Sequence, residues 1–307
     1  MPLIQLVLKG SGKLLLLAFC VTLLSSSIAN AIIKDFSQSP IQTSDPVLTE
    51  ALKLVNEGKP QAALESVEAY INNNPNSAIA YEIRGVAYSK IGNLNKGKSS
   101  FQTAISLNPK EATAYVKLAD VYLFEGNIDN AKDILRRAIS IDPTSTRAHQ
   151  RLGVIWEEER QIDQAIIHYE KGIMGVREDY LGIKLNLAYL YNRIGEPSKT
   201  VKLLQYWVDD KESNPLVHRA LGNAYLALNN TDQSISSYKT SLALAPKDID
   251  AYIGLGAAYR HKANFDAAIT AFEKAIEINN ASSTAHFQLS LLFTGKKSYE
   301  QALMHIK

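Results

Sequence analysis

Between Ala78 and Glu111 the chain reads AIAYEIRGVAYSKIGNLNKGKSSFQTAISLNPKE. Apolar residues recur there every three or four positions in two short runs. The runs are separated by a turn around Gly92, and Pro109 stops the second, because proline cannot extend a helix. This pattern predicts a pair of amphipathic helices, and it is copied along the chain. Stepping from Tyr88, eleventh in the unit, reaches Tyr122, Trp156, Tyr191, Tyr225, Tyr259 and Phe293, at intervals of 34, 34, 35, 34, 34 and 34 residues. A helix pair of this size cannot bury its own apolar face, so repetition at this period predicts a stacked all-α array.

Repeats are expected at 44–77, 78–111, 112–145, 146–180, 181–214, 215–248 and 249–282, with a partial eighth at 283–307. The first departs most, carrying Glu50 and Leu54 at places its siblings fill differently, as a capping repeat should. The fourth is longer by one residue. Arg177 and Glu212 stand where the fourth and fifth repeats lose their closing proline. A hinge or a change of curvature near Met174 to Tyr180 and plain sequence drift both account for this.

Recurring residues have separate physical reasons. Small residues fill the eighth place (Gly85, Ala119, Gly153, Ala188, Gly222, Gly256), where paired helices are expected to cross closely. The twentieth place is also small, and Phe101, Leu135, Tyr169, Tyr238 and Phe272 follow four residues later on the same helical face. Asn95, Asp129, Asp163, Ser198, Asp232 and Asp266, eighteenth in their repeats, are expected to cap the second helices. Pro75, Pro109, Pro143 and Pro246 are expected to end them.

Ahead of the array, Lys9 and Lys13 precede an apolar run from Leu14 to Leu24, then Ser25 to Ser27 and Ala29-Asn30-Ala31. Residues 1–31 therefore read as an export signal cleaved after Ala31. Leu14 to Ile33 is also long enough to be an uncleaved anchor. Either reading sends the repeats across a membrane, to a periplasm or the periplasmic face of an inner membrane. Residues 32–43, rich in Ser, Gln and Pro, read as a tether.

Composition mainly excludes. A net charge of +2 with no Lys/Arg run leaves no electrostatic footprint for nucleic acid. Cys20, the one cysteine, lies in the leader, so the processed chain has no disulfide, thiolate metal site or cysteine nucleophile. His149, His218 and His286 all stand fourth in their repeats, where other repeats carry Tyr, and read as packing residues. His168, His261 and His305 form no ligand-like spacing. No phosphate loop, zinc motif or nucleophile elbow is present, and nothing calls for a cofactor.

The register resembles the tetratricopeptide repeat. It has an aromatic at the fourth place (Tyr81, Tyr115, Tyr252), Leu-Gly at the seventh and eighth (Leu152-Gly153, Leu221-Gly222, Leu255-Gly256), Tyr at the eleventh, an aromatic at the twenty-fourth and Pro at the thirty-second. The resemblance covers Ser44 to Lys307. It implies a right-handed superhelical solenoid of antiparallel helix pairs, non-catalytic, whose first helices line a groove for segments of other proteins. Groove-facing places by this resemblance carry Arg147, Gln150, Arg151, Asn186, Tyr189, Asn192, Arg193, Arg219, Asn223 and Arg260. Arg with Asn suits a carboxylate and main-chain amides, which gives the expectation of an acidic or carboxylate-ended partner. A solvated helical face, with Glu157 and Glu158 neutralising part of it, accounts for the same residues.

Two family variants do not carry over. Arg219 and Asn223 approximate one pair of the chaperone-tail clamp, but Gly254 occupies its next slot. Of the asparagine ladder in sugar-transferring members, only Asn186 is present. The functional expectation is an exported scaffold for an envelope assembly such as a secretion, pilus or outer-membrane complex. The alternative is the substrate-recruiting arm of an enzyme, for instance a glycosyltransferase, whose catalytic part follows Lys307.

Overall fold

Every regular element among the described residues is a helix. The computed structural model describes residues 41–174, 181–208, 214–295 and 298–304. The export-signal reading of residues 1–31 and most of the tether lie outside them. In chain order the helices are α1 Pro46–Asn56, α2 Pro60–Asn73, α3 Ala78–Lys90, α4 Leu94–Leu107, α5 Ala112–Phe124, α6 Ile128–Ile141, α7 Thr146–Glu158 and α8 Ile162–Ile173. They continue with α9 Leu181–Arg193, α10 Pro197–Leu204, α11 Pro215–Ala227, α12 Thr231–Leu244, α13 Ile249–His261, α14 Phe265–Ile278, α15 Ser283–Gly295 and α16 Tyr299–Met304. A 3-10 turn, Gln205–Trp207, follows α10.

The chain divides into two compact units, the first ending at Arg177 and the second starting at Glu178. That boundary falls inside the segment where the fourth repeat carries its extra residue. Within each unit, the two helices of a repeat pack on one another, and each second helix packs on the first helix of the next repeat. Buried apolar side chains accordingly cluster across successive repeats, as a repeat too small to close its own core requires. Ile41 is buried in the first-repeat cluster with Leu48, Ala51 and Val55.

Close approach within a repeat is set by the eighth and twenty-fourth places. A Cβ added to Gly85 would stand 2.6 Å from Phe101, one on Gly153 2.4 Å from Tyr169, one on Gly222 2.8 Å from Tyr238, and one on Gly256 2.7 Å from Phe272. Where the eighth residue is alanine, as at Ala119 and Ala188, the twenty-fourth is the slimmer Leu135 or Leu204, both fully buried. Bulk lost on one helix is regained on the other, which keeps the crossing at native density.

The turn between paired helices is equally regular. Its fifteenth residue has a left-handed backbone, at Gly58, Gly92, Gly126 and Gly195 and also at Arg160, Asn229 and Ala263. The next amide reaches back to the carbonyl of the eleventh residue, as in Asn93 N to Tyr88 O at 2.9 Å and Asn264 N to Tyr259 O at 2.9 Å. This is a Schellman ending, which satisfies last-turn carbonyls and needs a positive φ at one residue.

The turn also corrects the expected caps. Asn93, Asn127 and Asn264, sixteenth in their repeats, accept the first-turn amides of α4, α6 and α14. Asp129, Asp163, Asp232 and Asp266 sit two residues later, inside the first turn, where a carboxylate favours the positive end of the helix. The helix starts two residues after the left-handed one, so the side chain able to cap is the sixteenth, which lies between them. The proline expectation holds: α2, α4, α6 and α12 end two residues before Pro75, Pro109, Pro143 and Pro246.

Two substitutions test these constraints by urea unfolding. Gly256→Ala should destabilise by about 1–3 kcal/mol through overpacking against Phe272. Ala263→Gly should stabilise by about 0.5–1 kcal/mol by relieving a left-handed alanine.

Candidate functional site

In the second unit, α9 and α11 lie side by side and the groove-register residues of repeats five and six line one cleft of about 500 Å³. Helix α9 contributes Leu185, Asn186, Tyr189, Asn192 and Arg193, and α11 contributes Leu216, Arg219, Ala220, Asn223 and Ala227. Three- and four-residue spacing on both helices places these side chains on one face each. Six of the ten residues singled out from sequence thus come together: Asn186, Tyr189, Asn192, Arg193, Arg219 and Asn223.

Their hydrogen bonds decide what each can offer. Asn192 donates from Nδ2 to the Ala220 carbonyl at 3.1 Å, tying α9 to α11. A carbonyl only accepts, so the amide orientation is fixed, and the buried Oδ1 is left as an acceptor with no partner among the described residues. Asn223 has the opposite polarity. Its Oδ1 accepts from the Tyr238 hydroxyl, which leaves its Nδ2 donors uncommitted among the described residues.

Tyr238 belongs to α12 and reaches this point because both neighbours lack a side chain. A Cβ on Gly222 or on Gly254 would stand 2.8 or 2.3 Å from its ring. Gly254, which breaks the family clamp, is thus the residue that lets a second-helix tyrosine reach Asn223. Burial pushes the phenol well above its ordinary range, against the pull of Arg219, so the hydroxyl stays a donor.

Arg219 is held by one nitrogen. Its Nη1 donates to both Asp248 oxygens, at 3.0 and 3.1 Å, and to Asp250 at 3.1 Å. Asp248 is half-buried and also caps α13, accepting from the Ala251 amide, whereas Asp250 is exposed. The guanidinium is neutralised along one edge and fixed in place, with its other N–H groups uncommitted among the described residues. Arg193 is exposed in the last turn of α9 and forms no ion pair among them.

The other four singled-out residues lie elsewhere. Arg260 is exposed near the end of α13 and does not line this cleft. Arg147, Gln150 and Arg151 are on α7, in the first unit. Arg147 and Gln150 are half-buried. Arg151 is 2% exposed and donates from Nε to the fully buried Asp120 at 2.6 Å. It is thus committed to a carboxylate of the preceding repeat, a pairing that spacing along the sequence does not reveal. On α3, Glu82 is also buried, and burial, with the charge of Glu111, pushes its carboxyl up to about 8.

Histidines at the fourth place do replace tyrosine in a specific way. His149 and His286 place Nε2 3.1 and 3.0 Å from the carbonyls of Pro143 and Asn280, six residues earlier. The Tyr115 hydroxyl donates in the same way to Pro109. Either ring can supply the donor that ties the loop between repeats to the next first helix. Sequence spacing missed a second contact: His168, nineteen residues from His149, meets it ring to ring. Among the described residues, no three His, Cys, Asp or Glu side chains converge as metal ligands.

Tyr238→Phe keeps the ring between Gly222 and Gly254 and removes only the bond to Asn223. It should cost about 0.5–1.5 kcal/mol of stability, read by urea unfolding.

Comparison with known proteins agrees with this architecture. Residues 78–111 and 219–283 match tetratricopeptide repeat profiles, and residues 108–206 match the profile of the tetratricopeptide repeat protein 21 C-terminal ARM domain. A relative, superkiller protein 3 of Saccharomyces cerevisiae, is 28% identical over 91 residues, 30% of this chain and 6% of that one. Among solved structures, YrrB, described as a TPR protein with an unusual peptide-binding site, is 20% identical. It superposes with a TM-score of 0.55 over 61% of this chain and 96% of its own. A chain of the APC/C hetero-tetramer Cut9-Hcn1 is 21% identical, with a TM-score of 0.54 over 86% of this chain and 52% of its own. The present chain thus spans a small part of the yeast relative and about half of the APC/C chain. With the 34-residue register, the helix pairs and these matches together, the chain is a tetratricopeptide-repeat protein, an all-α array of the kind that serves as a protein-interaction scaffold.

Proposed function

We propose that this protein is an exported scaffold that holds an extended segment of a partner protein in the cleft between α9 and α11. The observation that carries the proposal is the convergence of Asn223, Arg219 and Arg193 on one cleft whose two helices Asn192 ties together. Asn223 offers amide N–H donors and the arginines offer guanidinium donors, which together suit the C=O groups and carboxylates of a peptide segment. Leu185, Leu216, Ala220 and Ala227 supply apolar wall for its side chains.

Charge narrows the partner. Arg193 and the uncommitted edge of Arg219 favour an acidic side chain or a terminal carboxylate, with Arg able to bind it bidentately. Asp250 competes for the same guanidinium, so the attraction is local and does not extend along a basic stripe. The leader motif in residues 1–31 supports a location in the cell envelope, and a place in assembling a secretion, pilus or outer-membrane complex fits a scaffold there. The unusual peptide-binding site named for YrrB is a property of that protein, and it makes peptide capture a reasonable role for a similar fold.

Fluorescence anisotropy with a library of labelled acidic peptides, each with a free or an amidated C-terminus, tests this. Arg193→Glu is exposed and should leave the fold intact while weakening binding about tenfold or more, roughly 1.4 kcal/mol. It should also flatten the salt dependence. Asn223→Ala should weaken acidic and neutral peptides alike. Affinities unchanged in both variants would remove the cleft as the binding surface.

A further inference from the structure

His149 on α7 and His168 on α8 face each other Nδ1 to Nδ1 at 3.0 Å. Their ring centres are 5.2 Å apart and the planes are tilted by 38°. That separation is the nitrogen–nitrogen distance plus a ring radius at each end, so both nitrogens lie close to the line joining the rings. Two lone pairs repel in this arrangement, and so do two N–H groups, which requires one proton between them.

The loop decides which ring carries it. His149 Nε2 faces the Pro143 carbonyl, and a carbonyl only accepts, so the proton of His149 sits on Nε2 and its Nδ1 is the lone pair. His168 is therefore the donor, from Nδ1. A metal ion held by both nitrogens would need lone pairs converging on a point off that line, with the ring centres closer than they are.

The surroundings disfavour further protons. The charge of Lys171 on α8 acts against protonation of both rings and that of Arg136 on α6 against His168, while Asp142, in the loop before α7, acts in the opposite sense on His149. Burial first, then the partner ring and these cations, hold His168 down at about 4. Burial likewise holds His149 below its ordinary value.

We propose that the His149–His168 pair is a proton-sensitive latch between the two helices of repeat four, at the C-terminal end of the first unit, and that it releases α8 from α7 in acid. A first added proton leaves one ring able to donate to the other. A second puts two N–H groups head to head beside Lys171 and Arg136. An unfolded histidine takes its proton near 6.5 and the folded pair takes its protons only below that. The open chain therefore binds more protons in this interval, and the latch weakens as pH falls from about 6.5 toward 4. Glu82 in the same unit works the other way, since a carboxyl raised to about 8 loses stability as pH rises from 4.5. Comparing a variant with its parent at each pH cancels that contribution.

The test is an imidazole 15N NMR titration of the full chain from pH 8 to 4, with amide exchange of residues 162–173 corrected for intrinsic rates. In the parent, both midpoints should fall below 6.5, and protection of α8 should be lost between pH 6.5 and 4.5. In His168→Gln, whose amide can donate to neutral His149 and can turn to accept from its protonated Nδ1, the His149 midpoint should rise by about one unit, a tenfold gain in proton affinity. Protection in the variant should then persist through that window. Two independent midpoints near 6.5, or equal loss of protection in parent and variant, overturns the proposal. If the variant does not fold, the parent's midpoints decide alone: depressed and split they support the latch, ordinary and independent they end it.

Discussion

The contact between the eighth and twenty-fourth residues of each repeat is the constraint from which the rest of the array follows. Glycine meets phenylalanine or tyrosine, as in Gly85–Phe101 and Gly256–Phe272, and where the eighth residue is alanine the twenty-fourth is leucine, as for Ala119 and Leu135 and for Ala188 and Leu204, all buried. Interiors tolerate neither a gap nor an extra methyl at such a crossing. The distance between paired helices is thereby held while the residues that set it vary. Stacking of the next repeat depends on that distance, because each second helix must present one surface to the helix that follows.

The cleft uses the same contact for another purpose. Tyr238 is a twenty-fourth residue, yet it is flanked by glycine on its own repeat and on the next, and its hydroxyl extends to Asn223. A residue whose siblings only fill the core thus fixes the polarity of a groove side chain. Arg219 is fixed from the opposite side by Asp248, which at the same time starts α13. Both groups are held by residues with structural duties of their own, so the fold itself sets their positions, and for the proposed partner less ordering would remain to oppose binding.

Much of this could be read from the order of residues. A 34-residue spacing of large residues is a direct consequence of identical helix pairs, and Gly92 and the closing prolines mark turns by their backbone limits. Groove register was legible for repeats five and six because helical spacing alone assigns a face. Three features were not legible. Arg160 and Ala263 adopt the backbone of Gly92 without being glycine, so the turn could not be placed to the residue, and the caps were expected two positions late. Arg151 looks the same in sequence as Arg193, yet Asp120 from another repeat encloses it. His149 and His168 have no telling spacing, since their contact depends on how α7 crosses α8.

A double-mutant cycle on Gly85 and Phe101 tests the central constraint most directly, by urea unfolding of Gly85→Ala, Phe101→Leu and the pair. Each single change should destabilise, one by crowding and the other by leaving a void. The double variant, which recreates the alanine–leucine pair of Ala119 and Leu135, should recover at least about 1 kcal/mol relative to the sum of the two. Losses that simply add would contradict the claim that size complementarity at this crossing holds the array together.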